Sequence, residues 1–474
     1  MFVRGKRFAM DRVMAGLRAR AAAWGALCLC GTLALAALLI GGSTPLTAQA
    51  TSTDPATHLG VASCAGSTCH GRQEGDGKVV RQDEIKLWQE ESSAGGTHSR
   101  ALRLIGTPRG RAIAQRLGLG DPTAAPMCLG CHADPAPNRG PRFQRTDGVG
   151  CESCHGGAQG WLQAHYSVGA SHARNVSLGL RALENPKVRA SVCLDCHFGS
   201  STPGQFVNHR IMAAGHPRIS FEMDLFTSLQ QHHNEDADYL QRKPRNDNVR
   251  MWATGQALAL ERALSLYATP RIGQDGAFPE FYFFDCHTCH RRISDDPQAR
   301  PTARDNPARP IPEGMPAFND ENMIMLAAAA RVVAPELGRR FDADAAAFHR
   351  AIATDRASAV AAAGRLRTTA GDLADAFARR SFGRAETIAI LNSIASDAIS
   401  PRFTDYAGSV QAVMAVDTLL SALVSAGSVS PGAAGAIRGS VNRAYAAVKE
   451  PNSYNPAEFR RALGGAVATI RTLK

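Results

Sequence analysis

The residues of this chain best suited to chemistry are cysteines followed by histidine. The series C-L-G-C-H at Cys128 to His132 and C-E-S-C-H at Cys151 to His155 returns as C-L-D-C-H at Cys193 to His197 and as C-H-T-C-H at Cys286 to His290. Two thiols two residues apart, with histidine directly after the second, is the spacing that attaches a c-type haem. The thiols add to the two vinyl groups of the porphyrin, and the histidine is placed to bind the iron from one face. A widened version, C-A-G-S-T-C-H, runs from Cys64 to His70 with four residues between its cysteines. Cysteine arithmetic supports it. Of the 12 cysteines, Cys28 and Cys30 lie in an apolar N-terminal run. The others, Cys64, Cys69, Cys128, Cys131, Cys151, Cys154, Cys193, Cys196, Cys286 and Cys289, are all used by five attachment sites. Zinc knuckles would explain paired cysteines but not a histidine after the second one every time. Disulfides fit worse, because cysteines three apart rarely suit a bridge.

These sites must be positioned by a chain of 474 residues with 44 glycines and only 6% aromatic residues. That is a poor composition for a large side-chain core, and porphyrins resolve it: each is an apolar plate around which irregular loops can wrap. The expected fold class is mainly α with much irregular loop, a multihaem domain followed by a helical bundle. Residues 1–50 read as an export signal, with a basic head of Arg4, Lys6, Arg7, Arg12, Arg18 and Arg20, an apolar run from Ala21 to Gly42, and cleavage after Ala50. A retained membrane anchor is the alternative, since the apolar run could just span a bilayer. Residues 51–294 form the haem-bearing part, with helices expected over 100–118 and 248–268. Residues 295–317 are a linker carrying Pro297, Pro301, Pro307, Pro310, Pro312 and Pro316. Residues 318–474 are Ala-rich and read as a bundle of five to seven helices. There Ala359, Ala363, Leu366, Ala370, Leu373 and Phe377 keep a three-four spacing, as do Ala434, Ile437, Val441, Ala444 and Val448. The formal charge of +11 does not indicate nucleic-acid binding. The leader contributes much of it, and about two propionates per porphyrin bring the remainder close to neutral. Basic side chains are expected to pair with propionates rather than phosphates.

The order G-V-A-S-C-A-G-S-T-C-H-G, Trp88, His98, C-L-G-C-H, then G-V-G-C-E-S-C-H-G-G and His165 resembles the cytochrome c554 group of multihaem c-type cytochromes, over about residues 60 to 200. The resemblance implies a periplasmic electron carrier with closely stacked haems, mostly ligated by two histidines, and marks His98 and His165 as distal ligands. Relatives in that group include nitrogen-oxide redox enzymes. The four-residue first loop, the fifth site at Cys286 and the C-terminal extension depart from the group.

Five irons need five proximal ligands, supplied by His70, His132, His155, His197 and His290. Ten histidines remain, so supply exceeds demand, which favours low-spin haems with two histidine ligands and simple electron transfer. The distal positions are assigned to His98, His165, His172, His216 and His233, with His209 and His232 in reserve. His287 is a weaker candidate, and His58 and His349 read as surface residues. Met127, Met212 and Met223 read as packing, and Asp236, Asp238, Tyr166, Tyr239 and Arg210 as propionate partners or proton donors at an open iron. The sequence therefore reads as a periplasmic pentahaem cytochrome c exchanging electrons with redox partner proteins. An oxidoreductase with one open haem acting on a small nitrogen or sulfur oxyanion, and a docking subunit of a respiratory complex, are the alternatives. Donor, acceptor and oligomeric state leave no signature.

Overall fold

Ser430-Pro431 and Asn455-Pro456 each set a capping side chain beside a proline at the first helical position, and each opens a helix in the computed structural model. Ser430 Oγ accepts from Ala433 N, and Asn455 Oδ1 from Ala457 N and Glu458 N, satisfying amides that the helix cannot. Gly427, in the left-handed region at φ 67°, closes the helix before them. The structure describes residues 55–73, 81–243, 245–273, 278–291, 309–312, 315–400 and 405–473. The expected export segment with its cleavage point, and most of the proline-rich linker, lie outside the described residues. Among the described residues the chain is helical, with no strand and two isolated bridges, His58 to Arg139 and Phe284 to Phe318.

The haem-bearing part carries α1 (Pro126–His132), α2 (Cys151–His155), α3 (Pro186–His197), α4 (Asn248–Ala268) and α5 (Cys286–Cys289), among shorter turns and loops. The stretch 100–118, expected as one helix, is split into Ala101–Ile105 and Pro108–Arg116. Pro108 has no amide to carry a helix through, and Thr107 instead caps the second piece by accepting from Gly110 N. After the linker come α6 (Glu321–Val333), α7 (Pro335–Ile352), α8 (Arg356–Ala378), α9 (Arg384–Ala398), α10 (Tyr406–Ser425), α11 (Pro431–Ala447) and α12 (Pro456–Ile470).

The three-four spaced residues of α8 and α11 are buried, and Leu366, Leu373 and Phe377 are wholly so. The same core takes in α4, whose Trp252, Leu264 and Tyr267 are inaccessible or nearly so and which packs on α3, α6 and α8. Helix α4 thus joins an attachment helix to the bundle. Gly255 lets the short helix Met223–Leu229 approach α4 closely, since a Cβ there would lie 2.5 Å from Met223 Cβ. Each large apolar side chain so buried contributes about 1.5–3 kcal/mol. Helix α10 is long and apolar enough to cross a bilayer, but 78% of its apolar window is buried within the protein, as in a core helix.

Around the first three attachment sites no comparable core forms. The cluster there is Leu117, Ile211 and Ala214 with a few flanking residues, and the interior is instead a cavity of about 1610 Å³. That exceeds an ordinary small-molecule site of about 300–1,000 Å³. The fifth attachment segment is pinned to the bundle: Asp285 N donates to Ala317 O (2.8 Å), and Ala407 N donates to Asp285 Oδ2 (2.8 Å). Arg309, buried at the linker's end, bridges Asp320 (2.8 Å) and Asp405 (2.6 Å).

Candidate haem centres

On one helical turn, residues i, i+3 and i+4 share a face, so a helical C-x-x-C-H directs both thiols and the imidazole to one side. Helices α1, α2 and α3 each end on such a motif. Helix α5 stops at Cys289, and His290 N closes the turn on Cys286 O at 2.8 Å. The widened first site is a loop with the same closure. Cys69 N and Gly71 N donate to Gly66 O, and His70 N returns to Cys64 O at 3.1 Å, so the extra residues coil without displacing the histidine. All ten cysteines are unbridged, and among the described residues no three metal-binding side chains converge. The sites adjoin in pairs, with Cys64 against Cys151 and Cys131 against Cys196.

Opposite every motif histidine stands a second imidazole from elsewhere in the chain. Ring centres are 6.0 Å apart for His70 and His165, 5.9 Å for His197 and His98, and 6.3 Å for His132 and His216. They are 6.2 Å apart for His155 and His232, and 6.2 Å for His290 and His209. A metal–imidazole bond is about 2 Å and the nitrogen lies about 1 Å from the ring centre, so two imidazoles on one ion have centres about 6 Å apart. The donor sets therefore fit iron held between two histidines. The first four pairs all line the large cavity, and His209 and His290 are not among its lining residues.

Neighbours fix the rings. Nδ1 of His70 pairs with Glu84 Oε2 (3.0 Å), and Nδ1 of His132, His216 and His232 donate to the carbonyls of Ala101, Pro217 and Gln230 at 3.0, 2.8 and 3.1 Å. With Nδ1 engaged, Nε2 is the nitrogen left for a metal, and the second partner sets both tautomer and orientation. Asn175 holds His165 Nδ1 at 3.2 Å. Burial pushes His155 down to about 3 and His197 down to about 4, and lowers His98, His132, His165 and His216, so these rings stay neutral as ligation requires. His70 is raised, chiefly by its hydrogen bond to Glu84.

Of the five distal residues expected from sequence, the fold sets His98, His165 and His216 opposite attachment histidines. It does not do so for His172 or His233. His172 is half-exposed and bonded to Glu184 Oε1 (2.8 Å), and the His233 ring stacks on Tyr239 at 4.7 Å. His209 and His232, the reserves, stand in those two places. The neighbours His232 and His233 point their rings differently, and the chain's course through Gln230 to Asn234 decides which one meets His155. His209 is delivered by Glu280, a buried carboxylate that accepts from His209 N (2.9 Å) and Tyr282 N (2.7 Å) and so ties the histidine to the fifth site.

Two other readings are corrected. His58 is buried, not a surface residue, with Nδ1 2.8 Å from Asp134 Oδ2 and its backbone bonded to Asn138 and Gly140. His349 is likewise buried, its Nδ1 on Ala345 O at 2.8 Å within α7. His287 packs edge-on against Tyr454 rather than facing a second imidazole. Met223 lies in the core, Met212 packs against it, and Met127 is exposed. Asp236 caps Tyr239 N, Arg210 bonds Leu117 O, and Tyr166 is exposed. The side chain of Asp238 is outside the described residues. Glu152 and Glu280, which organise the first and fifth sites, were not apparent from sequence. The one available signal was position, Glu152 inside the third motif and Glu280 a few residues before the fifth.

Cysteine pairs positioned for thioether bonds, each followed by a histidine that meets another across a metal-sized gap, define a multihaem c-type cytochrome, a protein of electron transfer. The family model described as Cytochrome c554 and c-prime matches residues 63–156. That segment, holding the first three attachment sites, is cytochrome c554-like; the match ends just after His155, short of the resemblance expected to about residue 200. No curated protein and no solved structure matches the chain.

Proposed function

We propose that the protein carries five covalently attached haem c groups and relays electrons between redox partner proteins in the periplasm. The observation that carries this reading is the set of five histidine pairs with ring centres 5.9–6.3 Å apart, each joining one motif histidine to one remote histidine. Cys64 and Cys69, Cys128 and Cys131, Cys151 and Cys154, Cys193 and Cys196, and Cys286 and Cys289 would hold the porphyrins. His70 with His165, His132 with His216, His155 with His232, His197 with His98, and His290 with His209 would take the axial positions. When bound, each haem supplies a one-electron iron couple.

The chain's own part is to fix these imidazoles and keep water away. Glu84, Ala101, Pro217 and Gln230 hold Nδ1 atoms, while Trp88, Ile105, Trp161 and Phe221 give the cavity apolar walls. Paired ligands leave no coordination position for a substrate, which favours a carrier over an enzyme with an open haem. The adjoining cysteines of the first and third sites, and of the second and fourth, support short electron hops between neighbours. Periplasmic location rests on the N-terminal sequence. The test is intact mass with spin-state spectroscopy on the purified holoprotein. Five added porphyrins and a wholly low-spin ferric spectrum are expected. A high-spin signal that shifts with nitrite, cyanide or hydroxylamine overturns the carrier reading, and a mass with four porphyrins overturns the count.

A further inference from the structure

Arg218 lies two residues beyond His216, which faces the second attachment site, and its guanidinium is within hydrogen-bonding contact of the Cys286 thiol of the fifth. It lines the large cavity, yet its side chain is only 11% exposed. One side of the fork is accounted for, since Nη2 donates to Glu321 Oε1 at 3.1 Å and the guanidinium carbon sits 4.7 Å over the Tyr282 ring. The other side is not. Nε and Nη1 are fully buried and make no aligned hydrogen bond among the described residues; the Cys286 sulfur beside the guanidinium would become a thioether, only a weak acceptor, on attachment.

A buried donor without a partner costs about 1–3 kcal/mol, more when charged. A buried ion pair is tolerated only when its remaining protons are also satisfied. Glu321 cannot serve both edges of a planar guanidinium. An Nε–Nη1 edge is the geometry that accepts a carboxylate through two parallel bonds. The only carboxylates that attached porphyrins would bring to this place are their propionates.

We infer that Arg218 is a carboxylate seat at the junction of the second and fifth haem sites, receiving a porphyrin propionate on its Nε–Nη1 edge. This rests on the five-haem reading. It also gives the fifth site, whose histidines do not line the large cavity, a charged link to the other four. The positive charge compensates the propionate and so favours the reduced, less positive iron of the haem it serves.

The test uses holoprotein, with covalent haem counted by intact mass and the five midpoint potentials resolved by spectroelectrochemical titration. Arg218→Met alone would strand Glu321 as a buried charge. The informative comparison is therefore Glu321→Gln against the Glu321→Gln, Arg218→Met double variant, with Arg218→Lys as the charge-retaining control. Expected is a lower midpoint for one or two haems in the double variant relative to Glu321→Gln, and a smaller shift in the lysine variant. Identical midpoints for all haems in fully loaded single and double variants overturn the assignment and leave Arg218 as the partner of Glu321 alone. If the double variant does not fold, Arg218→Lys decides, with a shift confined to one or two haems supporting the seat and no shift overturning it. A wild-type mass one porphyrin short overturns the five-haem reading itself, and the assignment with it.

Discussion

Replacing Glu152 with alanine should release the N-terminal approach to the first haem site. Glu152 is the second residue of C-E-S-C-H and is 3% exposed. Its Oε1 accepts from Leu59 N (2.8 Å) and Ala158 N (2.7 Å), and its Oε2 accepts from Gly60 N (2.7 Å). One carboxylate thus holds the segment leading to Cys64 and the segment following His155. Gly60 is held at φ 91°, and a Cβ there would meet Arg142 O at 2.5 Å, so the turn has little freedom to find another partner. Alanine strands the buried amides of Gly60 and Ala158 and the half-buried amide of Leu59, each costing about 1–3 kcal/mol, and removes bonds to a charged acceptor. The expected loss is about 3–9 kcal/mol, a large share of the roughly 5–15 kcal/mol that holds a typical domain. Glutamine keeps one acceptor oxygen and turns an NH2 toward the third amide, so it should cost about 1–3 kcal/mol. Denaturant unfolding of the holoprotein, followed by far-UV circular dichroism and Soret absorbance, gives the measurement. If Glu152→Ala lies within about 1 kcal/mol of wild type, the carboxylate is not the clasp its three bonds indicate, and the reasoning fails.

His232→Ala should convert one haem to a high-spin, cyanide-binding form, whereas His233→Ala should leave every haem low-spin; electron paramagnetic resonance separates them, and the reverse outcome would show that His233 faces His155. Phe377, wholly buried in α8, should cost about 3–5 kcal/mol when cut to alanine, read as a loss of unfolding free energy with unchanged haem spectra. Asp285 is pushed up to about 7 by burial and then by Asp405. Because its folded value exceeds the unfolded one of about 3.9, the stabilisation it gives is complete below about pH 4 and is lost as pH rises through about 7. Asp285→Asn should remove that slope, so the variant gains on wild type from pH 4 to 8 in unfolding titrations; parallel stability curves would show that the carboxyl does not titrate there.

The sequence by itself determined what is local. A thiol pair and the following histidine lie within one turn of chain, so four C-x-x-C-H motifs could be read from spacing alone and the widened one from the count of cysteines. Helix beginnings at Ser430-Pro431 and Asn455-Pro456, the stop at Gly427 and the buried stripe of α8 were legible for the same reason, since caps and faces depend on neighbours within a few residues. What only the tertiary structure decided is which distant groups meet. The choice of His232 over His233 turns on a single step of the backbone, and His209 reaches His290 because Glu280 holds its amide. His58 and His349 are buried by packing that no local pattern records. The physical difference is range: covalent attachment and capping are settled by adjacent residues, whereas an imidazole opposite another, or a buried carboxylate gathering three amides, exists only once the chain has closed on itself.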